Sequence, residues 1–135
     1  MISPDHNPRF LIDSVPETAY GFRTKLKIFI ERIERFRKQL GKEKREIRIL
    51  DIGCGTGRQV TFPLGAEGYS VIGLDTDQAS LEVAQKENVF NNVRFVCGDS
   101  QHIARYLPQR HFSVIILSDI LEHLSDPKKF LRDLL

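Results

Sequence analysis

The chain has 135 residues, of which 41% are hydrophobic and 28% charged, and its net charge is +2. This length suits one globular domain, and the composition excludes disordered, collagen-like and coiled-coil proteins. The longest apolar run, 114–117, is far shorter than the ~20 residues of a membrane span, and the N-terminus lacks the pattern of a signal peptide, so we expect a cytoplasmic protein.

The N-terminal region is predicted to be an extended arm followed by one amphipathic helix. Three prolines in residues 1–16 disfavour regular structure. Ser14 and Glu17 then have the spacing of a capping box, and Gly41 is placed for a left-handed helix end. Between them, apolar residues recur at steps of three or four and predict one continuous apolar stripe: Phe22, Leu26, Phe29, Ile33, Phe36 and Leu40.

The positive charge of the chain is concentrated in this helix and the linker behind it. Residues 23–46 hold ten of the twenty basic residues and four acidic ones, which gives them +6 against −4 for the rest. A basic face opposite an apolar stripe could bind nucleic acid or a membrane surface. Such a stripe usually packs on its own domain, however, and we expect that here, with neither nucleic acid nor a membrane as a partner.

After residue 46 the pattern changes to short apolar strands that alternate with helices. This alternation predicts an α/β domain with a parallel sheet and helices on both faces. Pro63 lies inside the first of these helices, where it predicts a kink or a late helix start. The predicted strands are 47–52, 71–74, 93–97 and 112–117, and the predicted helices are 58–67, 78–88, 101–106 and 127–135.

Three glycines follow the first predicted strand at alternate positions, in the segment Asp51-Ile52-Gly53-Cys54-Gly55-Thr56-Gly57. Glycine permits unusual backbone dihedral angles and the close approach of a ligand, and the start of the next helix offers unpaired amides. A dinucleotide site would need Gly-x-Gly-x-x-Gly, but Arg58 or Val60 stands at the third glycine position. The spacing therefore excludes a nicotinamide or flavin site of that kind.

This loop, with Asp51 two residues before its first glycine, resembles motif I of the class I S-adenosylmethionine-dependent methyltransferases. Later segments resemble further motifs of that family: 71–75, 95–100, the fourth predicted strand with Asp119, and 121–127. The resemblance implies a Rossmann-like domain over 47–135 with strand order 3-2-1-4, preceded by an N-terminal arm and helix over 1–46. It also implies S-adenosylmethionine as cofactor and methyl transfer as activity.

The resemblance further implies which residues bind the cofactor. The glycines would frame its methionine and ribose portions, and Asp51 would hold the α-amino group directly or through water. Asp75 would accept both ribose hydroxyls, and Asp99 would contact the adenine amino group. The full implied set is Asp51, Gly53, Cys54, Gly55, Gly57, Asp75, Thr76, Asp99, Ser100 and Ser118.

Residues after the fourth strand are the candidates for the chemistry, because open sheets bind ligands beyond the carboxyl ends of their strands. His123 and Asp119 are the candidate catalytic residues, as general bases for a hydroxyl or amine acceptor. The alternative for His123 is a hydrogen-bonded structural role. Asp119, Glu122 and His123 could also hold a divalent cation, but sites of that kind take a further downstream histidine, so we predict no metal.

We expect a small-molecule acceptor, whose identity the sequence does not give. The alternative, from a different functional class, is a cofactor-binding fragment or regulatory module without methyl transfer. In the strand order of the family, Cys54 and Cys97 would lie ~9.6 Å apart, beyond the ~7 Å that a disulfide allows, which predicts free thiols.

The family fold continues with three more strands after the fourth, so the chain is interpreted as truncated. Its fourth strand would then be an exposed apolar edge, which invites pairing with another strand. We therefore predict self-association through this edge, or further chain beyond Leu135.

Overall fold

The structure, a computed structural model, describes residues 22–103, 107, 112–117 and 125–134. The predicted arm, with Ser14 and Glu17, lies outside them. The described helices and strands, in chain order, are α1 (Phe22–Leu40), β1 (Arg48–Ile52), α2 (Thr61–Ala66), β2 (Ser70–Asp75), α3 (Gln78–Glu87), β3 (Val93–Cys97), β4 (Val114–Leu117) and α4 (Pro127–Leu134). Short 3-10 turns occupy Lys44–Glu46 and Ser100–His102.

All four described strands are parallel and stand in the order β3-β2-β1-β4, which confirms the predicted α/β class and strand order. In the centre, Asp51 of β1 lies opposite Gly73 of β2 and Ile116 of β4. Phe62 and Leu64 of α2 belong to the hydrophobic cluster on one face of the sheet, and Ile103 and Leu107, which follow β3, belong to the cluster on the other. The carboxyl ends of β1, β2 and β3 therefore meet at one edge of the sheet.

Each face of the sheet has its own hydrophobic cluster. On one face, Ile49 of β1 shares a cluster with Leu26 of α1 and Phe62 of α2, all of them buried. On the other face, Leu50 shares a cluster with Phe130 of α4. Because the central strands are covered on both sides, their sequences are nearly continuous apolar runs instead of alternating ones.

The apolar stripe of α1 is only partly buried. Leu26 and Ile33 are 1% and 4% exposed, but Phe36 and Leu40 are 36% and 45% exposed. The stripe thus packs on its own domain, as expected, but only as far as Ile33. After Ile33, the last buried position, α1 contacts the rest of the molecule through polar groups instead of apolar ones, beginning with Glu34.

Glu34 connects α1 to the rest of the molecule. Its carboxylate accepts hydrogen bonds from the Tyr69 hydroxyl at 2.8 Å and from Arg37 at 2.7 Å, and Lys44 lies 3.6 Å from it. Burial would raise the pKa of Glu34, but these hydrogen bonds and positive charges outweigh it and lower the pKa below its ordinary value. Arg37 also donates to the Lys42 carbonyl at 2.8 Å, beyond the end of the helix.

The helix after the glycines starts later than 58, at Thr61, because the loop continues to Val60. Pro63 then falls in the first turn, where its missing amide proton has no intrahelical partner to lose, so the late start is confirmed. Strand β4 begins at Val114 instead of residue 112. In the described part of the chain, no helix combines the length and apolar character that crossing a membrane requires.

Candidate functional site

The loop between β1 and α2 contains three glycines with left-handed backbone angles. Gly53, Gly55 and Gly57 have φ values of 78°, 58° and 79°, a region that other residues occupy at a cost. A methyl group added to Gly57 would lie 2.8 Å from Cζ of Phe95, whereas one added to Gly55 would meet nothing within 4 Å. Gly57 is thus packed against the protein, and Gly55 faces open space that a ligand could fill.

Backbone hydrogen bonds hold this loop against the end of β2. The amides of Gly53 and Cys54 both donate to the Leu74 carbonyl, at 2.8 and 3.2 Å. The amide of Gly55 donates to Oδ2 of Asp75 at 2.7 Å, and the other carboxylate oxygen accepts from the Asp77 amide at 2.9 Å. Asp75 therefore ties the glycine loop to the start of α3, and its lone pairs that remain can accept further hydrogen bonds.

Asp51 is a buried carboxylate beneath the loop, only 2% exposed. Its Oδ2 accepts a hydrogen bond from the Thr61 hydroxyl at 2.7 Å, which joins the residue before the loop to the residue after it. Burial, reinforced by the negative charge of Asp75, raises the pKa of Asp51 to about 7, against the opposing effect of the Thr61 bond. A positively charged group brought to this carboxylate would relieve that cost.

The end of β3 lies beside the end of β2. The Gly98 amide donates to the Asp75 carbonyl at 2.9 Å, so Asp99 and Ser100 follow directly at the same edge. Asp99 caps the 3-10 turn behind it, because its Oδ1 accepts from the Gln101 amide at 2.9 Å. The implied cofactor residues of β1, β2 and β3 are thus brought to one edge of the sheet, with Thr76 exposed among them.

The two cysteines take no part in a disulfide. Cys54 is half-buried and Cys97 exposed, and both are free. Burial, together with the nearby charges of Asp51 and Asp75, raises the pKa of the Cys54 thiol far above its ordinary value. Cys54 is therefore a neutral packing residue of the loop and is unsuited to act as a nucleophile.

Three residues that support the loop were not found from the sequence. Phe95 lies under Gly57 and makes an edge contact with Phe62 at 5.4 Å between ring centroids. A methyl group on Gly73 would lie 2.8 Å from the Cys54 sulfur, so this glycine lets β2 pass under the loop. Thr61 stands at a helix start, a position where a hydroxyl residue is a recognisable signal, but its bond to Asp51 depends on tertiary structure.

The remaining implied residues lie outside the described part of the chain. These are Ser118 of the cofactor set, the catalytic candidates Asp119 and His123, and Glu122. Among the residues that are described, no cluster of three or more His, Cys, Asp or Glu side chains could hold a metal ion.

Comparison with known proteins relates the chain to methyltransferases. A family model described as a methyltransferase domain matches residues 22–135. The ubiquinone biosynthesis O-methyltransferase of Rickettsia akari is 28% identical over 102 residues, which are 76% of this chain and 40% of that protein. The human mitochondrial protein of that name is 33% identical over 100 residues, 70% of this chain and 26% of that protein.

Other relatives carry different names. An uncharacterized RNA methyltransferase of Prochlorococcus marinus is 30% identical over 83 residues, 62% of this chain and 18% of that protein. The chain thus spans less than half the length of these curated relatives.

Solved structures have the same fold. An arsenic(III) S-adenosylmethionine methyltransferase from Chlamydomonas reinhardtii matches with a TM-score of 0.57 and 26% identity, over 67% of this chain and 34% of that one. The bifunctional kinase-methyltransferase WbdD matches with a TM-score of 0.65 and 21% identity, over 87% of this chain and 25% of that one.

Proposed function

Because the chain belongs to the methyltransferase domain family, we propose that it binds S-adenosylmethionine at the glycine loop and transfers the methyl group to a small-molecule acceptor. The observation that carries this proposal is the junction of Gly55 and Asp75. An open face of the loop and a carboxylate with spare lone pairs lie together at the carboxyl edge of a parallel sheet, where open α/β sheets bind ligands.

The described residues fit the cofactor in shape and charge. Gly55 leaves room beside the loop, and with Gly53, which has the same left-handed backbone, it would frame the methionine and ribose portions. Asp75 would accept the ribose hydroxyls while it keeps its bond to Gly55. Asp99 would contact the adenine amino group through Oδ2, since Oδ1 accepts from the Gln101 amide and Nδ1 of His102 comes no nearer to Oδ2 than 3.6 Å. Thr76, Ser100 and Ser118 complete the proposed binding set with Cys54 and Gly57.

Asp51 would hold the cofactor's α-amino group. The carboxylate is buried and its pKa is raised to about 7 without a cation beside it. An ammonium group nearby, directly or through one water, favours the charged form and lowers that pKa again. The Thr61 hydroxyl fixes the orientation of Oδ2 and leaves Oδ1 for the ligand.

S-adenosylmethionine, when bound, supplies a methyl group already activated by its sulfonium, and transfer breaks the sulfur–carbon bond and leaves S-adenosylhomocysteine. The protein then has to align the acceptor behind that carbon and exclude water. The proton of a hydroxyl acceptor would leave to a general base, and His123 and Asp119 are proposed for this role. They follow β4, whose end lies beside the end of β1.

The acceptor class rests on the relatives. O-methyltransferases named for ubiquinone biosynthesis support a hydroxyl group on a small molecule. The relative named as an RNA methyltransferase supports a second candidate, methyl transfer to RNA. A third candidate is a cofactor-binding module without methyl transfer of its own. We further propose a cytoplasmic location and a division of the chain into 1–46 and 47–135. We also propose self-association through β4, because β4 is an edge strand of the described sheet.

Transfer of a tritiated methyl group from S-adenosylmethionine distinguishes these candidates. A substituted catechol and a short single-stranded RNA serve as the two acceptors, and binding of S-adenosylhomocysteine is measured by calorimetry in the same preparation. Label on the catechol supports the proposal, and label only on RNA supports the second candidate. Binding without label on either acceptor favours the cofactor-binding module, and absence of binding contradicts the proposed cofactor site.

A further inference from the structure

A cleft with a volume of about 270 Å³ lies at the amino-terminal ends of the strands, opposite the glycine loop. Arg48 and Ser70, the first residues of β1 and β2, line it together with Arg94 of β3. Arg45, from the 3-10 turn before β1, and Phe112, just before β4, complete its walls. Five residues of β1 separate this cleft from the glycine loop, roughly 13 to 17 Å along the strand.

The cleft is positively charged, and no carboxylate among the described residues neutralises its arginines. Among the residues that the structure describes, no Asp or Glu forms an ion pair with Arg45, Arg48 or Arg94, and all three are exposed. Nη2 of Arg45 lies 3.5 Å from Oδ1 of Asn91, at the long limit of a hydrogen bond. Three positive charges around one concavity repel one another, and an anion bound between them would relieve this repulsion.

Two arginines elsewhere in the chain pair with carboxylates. Arg37 pairs with Glu34, and Arg58 donates to Glu87 through two of its nitrogens. The cleft gathers three guanidinium groups around one concavity, and no carboxylate of the described residues pairs with any of them. This grouping in a concavity favours a specific role over a merely solvated basic surface.

The strand register allows the guanidinium groups to reach one ligand. Arg94 lies opposite Ile72 on β2, and Arg48 lies opposite Ser70, two residues before Ile72 on the same face of the sheet. Their Cα atoms are then about 12 Å apart, from two strand spacings and two residue rises. Extended arginine side chains cover such a distance from both sides, so both can contact one anionic group.

We propose that this cleft binds a phosphate group of a small phosphorylated molecule. Guanidinium groups match phosphate through paired hydrogen bonds, and Arg is the residue best suited to this recognition. The half-buried ring of Phe112 offers an apolar wall for the organic part of such a ligand. A volume of about 270 Å³ suits a phosphate with a small attached group and is too small for a long polymer segment.

Calorimetric titration of pyrophosphate and of adenosine monophosphate into the wild-type chain at low ionic strength tests this proposal. Arg48→Gln and Arg94→Gln should each weaken pyrophosphate binding about 10-fold. Arg132→Gln, an exposed position on α4, makes the same change of net charge away from the cleft and should leave the affinity unchanged. Arg94→Lys keeps the charge and loses the paired geometry, and should fall between wild type and Arg94→Gln.

The outcomes separate the proposal from its competitors. No binding of either compound, or an equal loss for Arg132→Gln, overturns it. A single-stranded RNA of ten nucleotides that binds at least 10-fold more tightly than adenosine monophosphate assigns the cleft to nucleic acid and overturns the small-ligand assignment. Binding of S-adenosylhomocysteine to the same variants should stay as in wild type, so failure here is distinguishable from failure of the proposed cofactor site.

Discussion

Gly55 and Gly57 have the same left-handed backbone but different surroundings. A substitution at Gly55 should therefore affect mainly ligand binding, and one at Gly57 mainly the stability of the fold. Gly57 packs against the ring of Phe95, while the side of Gly55 on which a methyl group would stand is open. A methyl group on either residue carries the cost of the left-handed conformation, about 1 to 2 kcal/mol. Only at Gly57 does it also collide with the core.

Gly57→Ala should therefore lower the free energy of unfolding by roughly 2 to 4 kcal/mol, and Gly55→Ala by about 1 kcal/mol. Urea denaturation of the two variants beside wild type measures both values. Gly55→Ala should nevertheless weaken the binding of S-adenosylhomocysteine, because its methyl group enters the proposed cofactor space. Equal stability losses for the two variants would show that Phe95 does not constrain the loop.

The pH dependence of stability reports on Asp51. Its pKa is about 7 in the folded chain and close to the ordinary carboxyl value in the unfolded chain. Between about pH 4 and pH 7 the folded state thus holds a proton that the unfolded state has lost, so the free energy of unfolding falls as pH rises through this window and levels off above it.

Asp51→Asn keeps an oxygen for the Thr61 hydroxyl and removes the charge. We expect this variant to match wild type near pH 4 and to exceed it by roughly 2 to 4 kcal/mol above pH 7, measured by denaturant unfolding across that range. Thr61→Val should extend the fall of stability to higher pH, since the hydroxyl lowers the pKa of Asp51. A difference between Asp51→Asn and wild type that does not change with pH would contradict this account.

At this scale, the sequence shows which residues stand in the loop but not what supports them. Asp51, Asp75 and the glycines stand in segments that resemble the family's motifs, and that resemblance implied their roles. Phe95 and Thr61 act through packing and through a hydrogen bond that spans the loop, and neither is visible in a linear pattern.

The burial of helix α1 differs more from what its sequence periodicity predicts than that of any other described element. Its apolar residues recur regularly, but only the part up to Ile33 packs in the core. The attachment that follows, from Glu34 to Tyr69, joins residues 35 positions apart and could not be read from helical spacing. The strands were easier to predict, because buried parallel strands are short apolar runs bounded by turns.

Tyr69→Phe should loosen α1 without unfolding the sheet. The variant loses a hydrogen bond to a charged group, worth about 1.5 to 3 kcal/mol, while it keeps the buried ring. Hydrogen exchange should show faster exchange of the α1 amides than in wild type and unchanged exchange in β1 and β2. Glu31→Gln, an exposed change on the same helix, is the control, and equal exchange in Tyr69→Phe and this control would contradict the anchoring role.

In the whole molecule, the two proposed binding sites lie at opposite edges of the parallel sheet. Its carboxyl edge carries the glycine loop, Asp75 and Asp99, and its amino edge carries the arginine cleft. The alternation of strands and helices predicted a parallel sheet, whereas the order of its strands was implied by the family resemblance, and the structure confirms both. The cleft could not be predicted, because Arg45, Arg48 and Arg94 meet only once the register of the strands is fixed.

Asp75, which is held by the glycine loop and is proposed to accept the ribose hydroxyls, is central to the proposed cofactor site. Calorimetric titration of S-adenosylhomocysteine into wild type, Asp75→Asn and Asp77→Asn is the most direct test. Asp77 is an exposed neighbour that caps α3, and asparagine keeps that cap. We predict that Asp75→Asn weakens binding at least 10-fold while Asp77→Asn binds like wild type. Equal affinity in all three proteins, or no binding in wild type, would contradict the proposed site.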